Sequence, residues 1–115
     1  MKMLAATTIA ALSLAGAAHA DTGKDEVSQV KYACAGNAVL DVVYVNTAAG
    51  NSYAIISQMD ELIPMQITPM ASGASYAAMD ANYTYRLDTK GDNATLVTVD
   101  GDKDTPVLSD CTASE

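Results

Sequence analysis

The chain has 115 residues, enough for one ordinary domain and no more. Its 14 acidic residues against six basic ones give a formal net charge of −8, which excludes nucleic acid and anionic lipid surfaces as partners by plain repulsion. One histidine, two cysteines and no Trp or Phe leave little for catalysis and require a core of Val, Ile, Leu, Met, Ala and Tyr.

The opening "MKMLAATTIAALSLAGAAHA" reads as a cleaved signal peptide over 1–20. Lys2 supplies the positive start, the run from Met3 to Leu14 is apolar but short for a membrane span, and Ala18-His19-Ala20 forms a small-x-small cleavage site. Asp21, not a cysteine, follows the cut, so a soluble periplasmic product without a membrane anchor is expected. Cleavage leaves about 95 residues as a single domain, 21–115, and removes the only histidine together with Lys2. Five basic residues then face 14 acidic ones, a net charge of −9 that steers basic partners in from solution. Residues 21–27 are polar and read as a flexible leader.

Beyond the leader the hydrophobic pattern alternates, which is the period of a strand rather than a helix. Strands are predicted over 29–36, 38–46, 53–58, 62–68, 75–80, 83–89, 94–100 and 105–113, separated by Gly, Asn and Asp turn signals every 8–12 residues. Pro64 and Pro69 suggest that 62–68 lies at a sheet edge. Eight short strands in so small an all-β chain point to an antiparallel sandwich or small barrel, and a barrel has the advantage of leaving no exposed edge. Cys34 and Cys111 stand near the two ends of the mature chain, and in an oxidising compartment they allow one pairing, a disulfide. Closing so long a loop removes roughly 4–5 kcal/mol of denatured-state entropy in the chain-entropy model.

Catalysis is poorly supplied. Ser72 has no imidazole to activate it, neither cysteine is expected to be free, and the carboxylates lie in polar turns that do not raise a pKa. "DGDKD" at 100–104 resembles the start of a calcium loop, but Thr105 and Cys111 stand where the EF-hand pattern needs Gly and Glu, so an acidic hairpin turn is expected. No metal or cofactor is implied. Tyr83 and Tyr85 fall on one strand face and read as packing.

The remaining signal lies in 71–96, "ASGASYAAMDANYTYRLDTKGDNATL". Gly73 beside Ser72, and Gly91 beside Lys90, allow positive φ or close backbone approach. A hairpin over 75–89 would bring the loops before and after it to one end of a barrel, so a hydroxyl and an ammonium would project together. That pair suits an acidic cleft, although an ST-turn at Ser72 and a solvated Lys90 account for the same residues.

The order of these motifs resembles a known family. Ser72-Gly73-x-x-Tyr76 followed by Thr89-Lys90-Gly91-Asp92-x-Ala94-x-Leu96, with "YACAG", "LDVVYVN" and a lone late cysteine, is similar to the MliC/PliC inhibitors of c-type lysozyme over nearly the whole mature chain. The resemblance implies an eight-stranded antiparallel barrel with one terminal disulfide and a basic c-type lysozyme as partner. It implies that Ser72 and Lys90 bind the catalytic carboxylates, with Tyr76 supporting the first loop, and Ser72, Gly73, Tyr76, Lys90 and Gly91 are the expected contacts with the lysozyme. The sequence departs from the family pattern at Ser75, at Leu87-Asp88, and in a longer spacing between Ser72 and Lys90, which bears on affinity and lysozyme preference. A periplasmic barrel that binds a small ligand in its interior or at its mouth is the alternative reading, and monomer and dimer are both compatible with the sequence.

Overall fold

The computed structural model describes residues 24–114, so the expected signal peptide, its cleavage site and Asp21 lie outside the described residues. The chain forms β1 (Glu26–Ala33), β2 (Val39–Asn46), β3 (Ser52–Gln58), β4 (Glu61–Thr68), β5 (Ala74–Ala78), β6 (Tyr85–Lys90), β7 (Asn93–Asp100) and β8 (Lys103–Ser114). Each strand pairs antiparallel with the next, and β8 returns to β1 to close a barrel. A short 3-10 turn, Ala35–Asn37, occupies the expected Gly-Asn turn.

Alternation in the sequence becomes inside and outside in the barrel. Leu40 and Val42 of β2, Ala54 and Ile56 of β3, Ile63 and Met65 of β4, Leu87 of β6 and Leu96 of β7 all point inward and are essentially inaccessible. Each such Leu, Ile or Met contributes about 1.5–3 kcal/mol by leaving water. Tyr83 and Tyr85 stack with ring centroids 6.2 Å apart and pack against this core, so they are packing residues as expected. The Tyr83 hydroxyl hydrogen-bonds to the Glu61 carboxylate.

Closure explains two departures from expectation. Strand β4 is no edge: it pairs with β3 on one side and β5 on the other. Its Pro64 is tolerated because the N and C=O of one residue point the same way along a strand. The Pro64 carbonyl accepts from Met79 N at 3.0 Å, one position past the last β4–β5 register pair, so the missing N–H faces the spent end of that ladder. The leader is also shorter than expected. Glu26 and Val27 belong to β1, paired with Asn46 and Val45, and Asp25 accepts a hydrogen bond from Ala48 N at 2.7 Å.

The closing seam is narrow, with Lys31, Tyr32 and Ala33 facing Ser114, Ala113 and Thr112. Register shifts between β7 and β8, with Asp110 at φ 53°, bend β8 towards β1 as bulges do. Beside this seam the Cys34–Cys111 disulfide joins segments 77 residues apart, so the covalent staple reinforces the shortest ladder of the barrel.

Candidate functional site

Alternation of strand direction sorts the connections between two rims. One rim carries the β2–β3, β4–β5 and β6–β7 loops; the other carries β1–β2, β3–β4, β5–β6 and β7–β8. Ser72 and Gly73 lie in the β4–β5 loop, and Lys90 and Gly91 lie at the β6–β7 turn, so all four share the first rim. The hairpin between them turns at 79–84 on the opposite rim, where Asp80 caps the turn through Asn82 N and Tyr83 N. Extra length in that hairpin therefore extends the far rim and leaves the spacing of the two loops to the strand register.

The register sets the approach. Ala74 pairs with Thr89, and Ser75 with Asp88, which brings the end of the β4–β5 loop against the end of β6. Gly73 has φ 72°, and a Cβ built there would lie 2.4 Å from the Thr89 carbonyl oxygen and 3.4 Å from Lys90 Cβ. No side chain fits that contact, so glycine is what permits the two loops to touch. Thr89 Oγ1 donates to the Ala74 carbonyl at 3.3 Å and Thr68 Oγ1 to the Ser75 carbonyl at 3.2 Å, tying the loop at its base. Ser72 and Lys90 are exposed and line one cleft of about 240 Å³ with Met70, Asp88, Asn93 and Thr95. Among the described residues Lys90 takes part in no ion pair.

Tyr76 points the other way, into the barrel. It is buried, its ring centroid lies 5.7 Å from that of Tyr44, and the Tyr44 and Tyr32 hydroxyls share a 2.7 Å hydrogen bond. Burial, followed by the Tyr32 hydrogen bond, raises the Tyr44 phenol far above its ordinary pKa, and burial raises Tyr76. These rings line a second recess of about 330 Å³ at the barrel mouth, with Ser28, Asn46, Gly91 and Asp92 at its edge.

A polar network on the outer wall was not anticipated from the sequence. Arg86 donates from Nε and Nη2 to the two oxygens of Asp88, each at 2.9 Å, and from Nη2 to Asp104 of β8 at 2.9 Å. Ser75 Oγ donates to Asp88 Oδ1 at 2.7 Å, and Ser75 is itself 4% exposed. Burial pushes the Asp88 carboxyl up, but the hydrogen bonds from Arg86 and Ser75 and the guanidinium charge outweigh it, so the net shift is downward. The legible signal was the opposite charge at 86 and 88 on one strand face; the contributions of Ser75 and Asp104 required the barrel register.

The MliC family, described as membrane-bound lysozyme-inhibitor of c-type lysozyme, matches residues 32–105. Among solved structures, the chain is 56% identical to PliC-St, the periplasmic lysozyme inhibitor of C-type lysozyme from Salmonella typhimurium, over 78% of this chain and 100% of that one, with a TM-score of 0.72. No curated protein matches the sequence.

Proposed function

Because the chain belongs to the MliC family of c-type lysozyme inhibitors, we propose that it blocks the lysozyme cleft with the rim that carries Ser72 and Lys90. It is a periplasmic inhibitor of c-type lysozyme, as its likeness to the Salmonella protein supports. It acts by occlusion and performs no reaction of its own. The observation that carries the assignment of Ser72 and Lys90 is that both line one exposed cleft, on loops held in contact through Gly73.

A retaining glycosidase places two carboxyl groups about 5–5.5 Å apart, one protonated and one ionised. In the proposed complex the Lys90 ammonium pairs with the ionised carboxylate, and the Ser72 hydroxyl hydrogen-bonds the other carboxyl. Together they occupy the space of the scissile sugar and keep both carboxyl groups engaged and out of reach of substrate. Gly73 and Gly91 shape the two loops, and Tyr76 braces the first of them from within the barrel. The strongly negative net charge speeds the encounter with a basic lysozyme. A small ligand held in the barrel interior would need open space, and Leu40, Val42, Ile56, Ile63, Met65, Leu87 and Leu96 fill it, which leaves the recess at the mouth to such a reading.

The test is lysis of bacterial cell walls by a c-type lysozyme, followed by turbidity, with parent protein and with Lys90→Ala. Removing one partner of a buried charge pair costs about 2–5 kcal/mol, so Lys90→Ala should weaken inhibition by more than an order of magnitude while the melting temperature stays put. Equal inhibition by both proteins would falsify the role given to Lys90.

A further inference from the structure

Lys90 carries its own competitor. Asp88 sits two residues before it on the same face of β6, roughly 7 Å away along the strand, and both side chains line the same cleft. A lysine stem spans that distance easily, so an Asp88 carboxylate without other partners would capture the ammonium within the inhibitor itself. Asp92, two residues beyond Lys90, lines the recess at the barrel mouth instead.

Asp88 is not without partners. The Arg86 fork occupies both carboxylate oxygens, and the buried Ser75 hydroxyl takes a further position on Oδ1. Bidentate Arg–carboxylate pairing is the strongest common form of charge-assisted hydrogen bond, and its two parallel donors also fix the carboxylate plane. Asp104, reaching from β8, accepts from the same Nη2 and holds the guanidinium against a second strand. Arg86 and Asp88 are each about 30% exposed, so the pair is partly shielded from water and salt, whereas Lys90 is exposed.

From this arrangement we infer that Arg86 is a positioning residue for inhibition: by engaging both Asp88 oxygens and neutralising their charge it disfavours an internal Asp88–Lys90 pair and keeps the Lys90 ammonium free for the target. The inference rests on the role of Lys90 proposed above. It differs from a mechanical clamp between β5, β6 and β8 in one respect. A clamp fails when either partner is removed, whereas a competitor becomes harmless when the carboxylate is removed as well.

The dissociation constant for a c-type lysozyme should be measured for the parent, Lys90→Ala, Arg86→Gln and the double variant Arg86→Gln/Asp88→Asn, with thermal unfolding of each. Arg86→Gln is expected to bind about fivefold more weakly, the loss that follows when an exposed-type ion pair sequesters most of the Lys90 population. The double variant should return to within about twofold of the parent, since neutral Asn holds no ammonium. If Arg86→Gln unfolds, Arg86→Lys serves in its place: it keeps the charge, loses the fork, and is expected to show a smaller loss that Asp88→Asn also relieves. Binding by Arg86→Gln equal to the parent, or a double variant as weak as the single one, overturns the inference. A Lys90→Ala variant that binds like the parent overturns instead the role of Lys90 from which it starts.

Discussion

The two rims of the barrel are closed by similar short connections, yet they differ in crowding and in charge. At the far rim Gly101 has φ 63° and a Cβ there would meet nothing within 4 Å, while Met59 and Asp60 hold φ 53° and 64° without glycine. At the near rim Gly73 has a similar φ of 72° but is pressed against the Thr89 carbonyl. The far rim gathers Asp60, Glu61, Asp80, Asp100, Asp102 and Asp104 against Lys103 near its turns, and the near rim presents Lys90 with Asp88 and Asp92 close by. Strands of eight residues keep these ends roughly 20 Å apart, more than twice the ~8 Å Debye length at physiological salt. Acid at the far end therefore adds to the attraction of a basic protein as a whole but lies too far away to pair with the Lys90 ammonium.

The largest effect expected from this contrast is on the cations. Lys90→Ala should lose the about 2–5 kcal/mol given above. Lys103→Ala, at the far rim, should leave the dissociation constant for a c-type lysozyme nearly unchanged and, by making the inhibitor more acidic, speed association slightly at low salt. Comparable losses from the two substitutions would mean that charge, not placement, governs inhibition.

The glycines sharpen the point next. Gly101→Ala bears only the left-handed backbone penalty, about 1–2 kcal/mol of stability, with inhibition intact. Gly73→Ala bears the same penalty and must also push Thr89 and Lys90 away, so it should lower inhibition at least tenfold as well as stability. Chemical denaturation alongside the lysis assay separates the two quantities, and a Gly73→Ala protein of full potency would show that loop contact is dispensable.

A smaller gain is expected at the β3–β4 turn. Both central residues there have positive φ, the geometry of a type I′ turn that favours Asn-Gly. Asp60→Gly should raise unfolding stability by about 1 kcal/mol without altering inhibition. The smallest effect concerns pH. The Asp88 carboxyl titrates below its unfolded value, so the stability it contributes is complete above about pH 4 and fades as pH falls through the folded pKa. Asp88→Asn should flatten the acid limb of a stability–pH curve; an unchanged limb would remove Asp88 from the groups that set it.

Much of this architecture could be read from the chain because a strand declares itself with a period of two. Alternation located all eight strands to within a few residues, and the turn residues fixed their number. The placement of Ser72 and Lys90 at one rim followed from parity alone, since one hairpin separates them. Pro64 misled because proline removes a donor on one side only, and whether that side is used depends on how far the neighbouring ladder runs. Glu26 and Val27 look like solvated leader, and their pairing with β2 is visible only once Asn46 and Val45 present free backbone groups to them.

The sequence by itself determined an all-β domain, its strand count, its single disulfide and the pair of loops that carry a hydroxyl and a cation. Local physics suffices there, because side-chain alternation, turn chemistry and cysteine count act over a few residues or admit one solution. Only the tertiary structure decided that Tyr76 turns inward, that Gly73 meets the Thr89 carbonyl, and that Arg86 spends its guanidinium on Asp88 and Asp104 rather than leaving Asp88 to Lys90. Those contacts join residues from separate strands, and barrel closure and register, which belong to the whole sheet, set their distances.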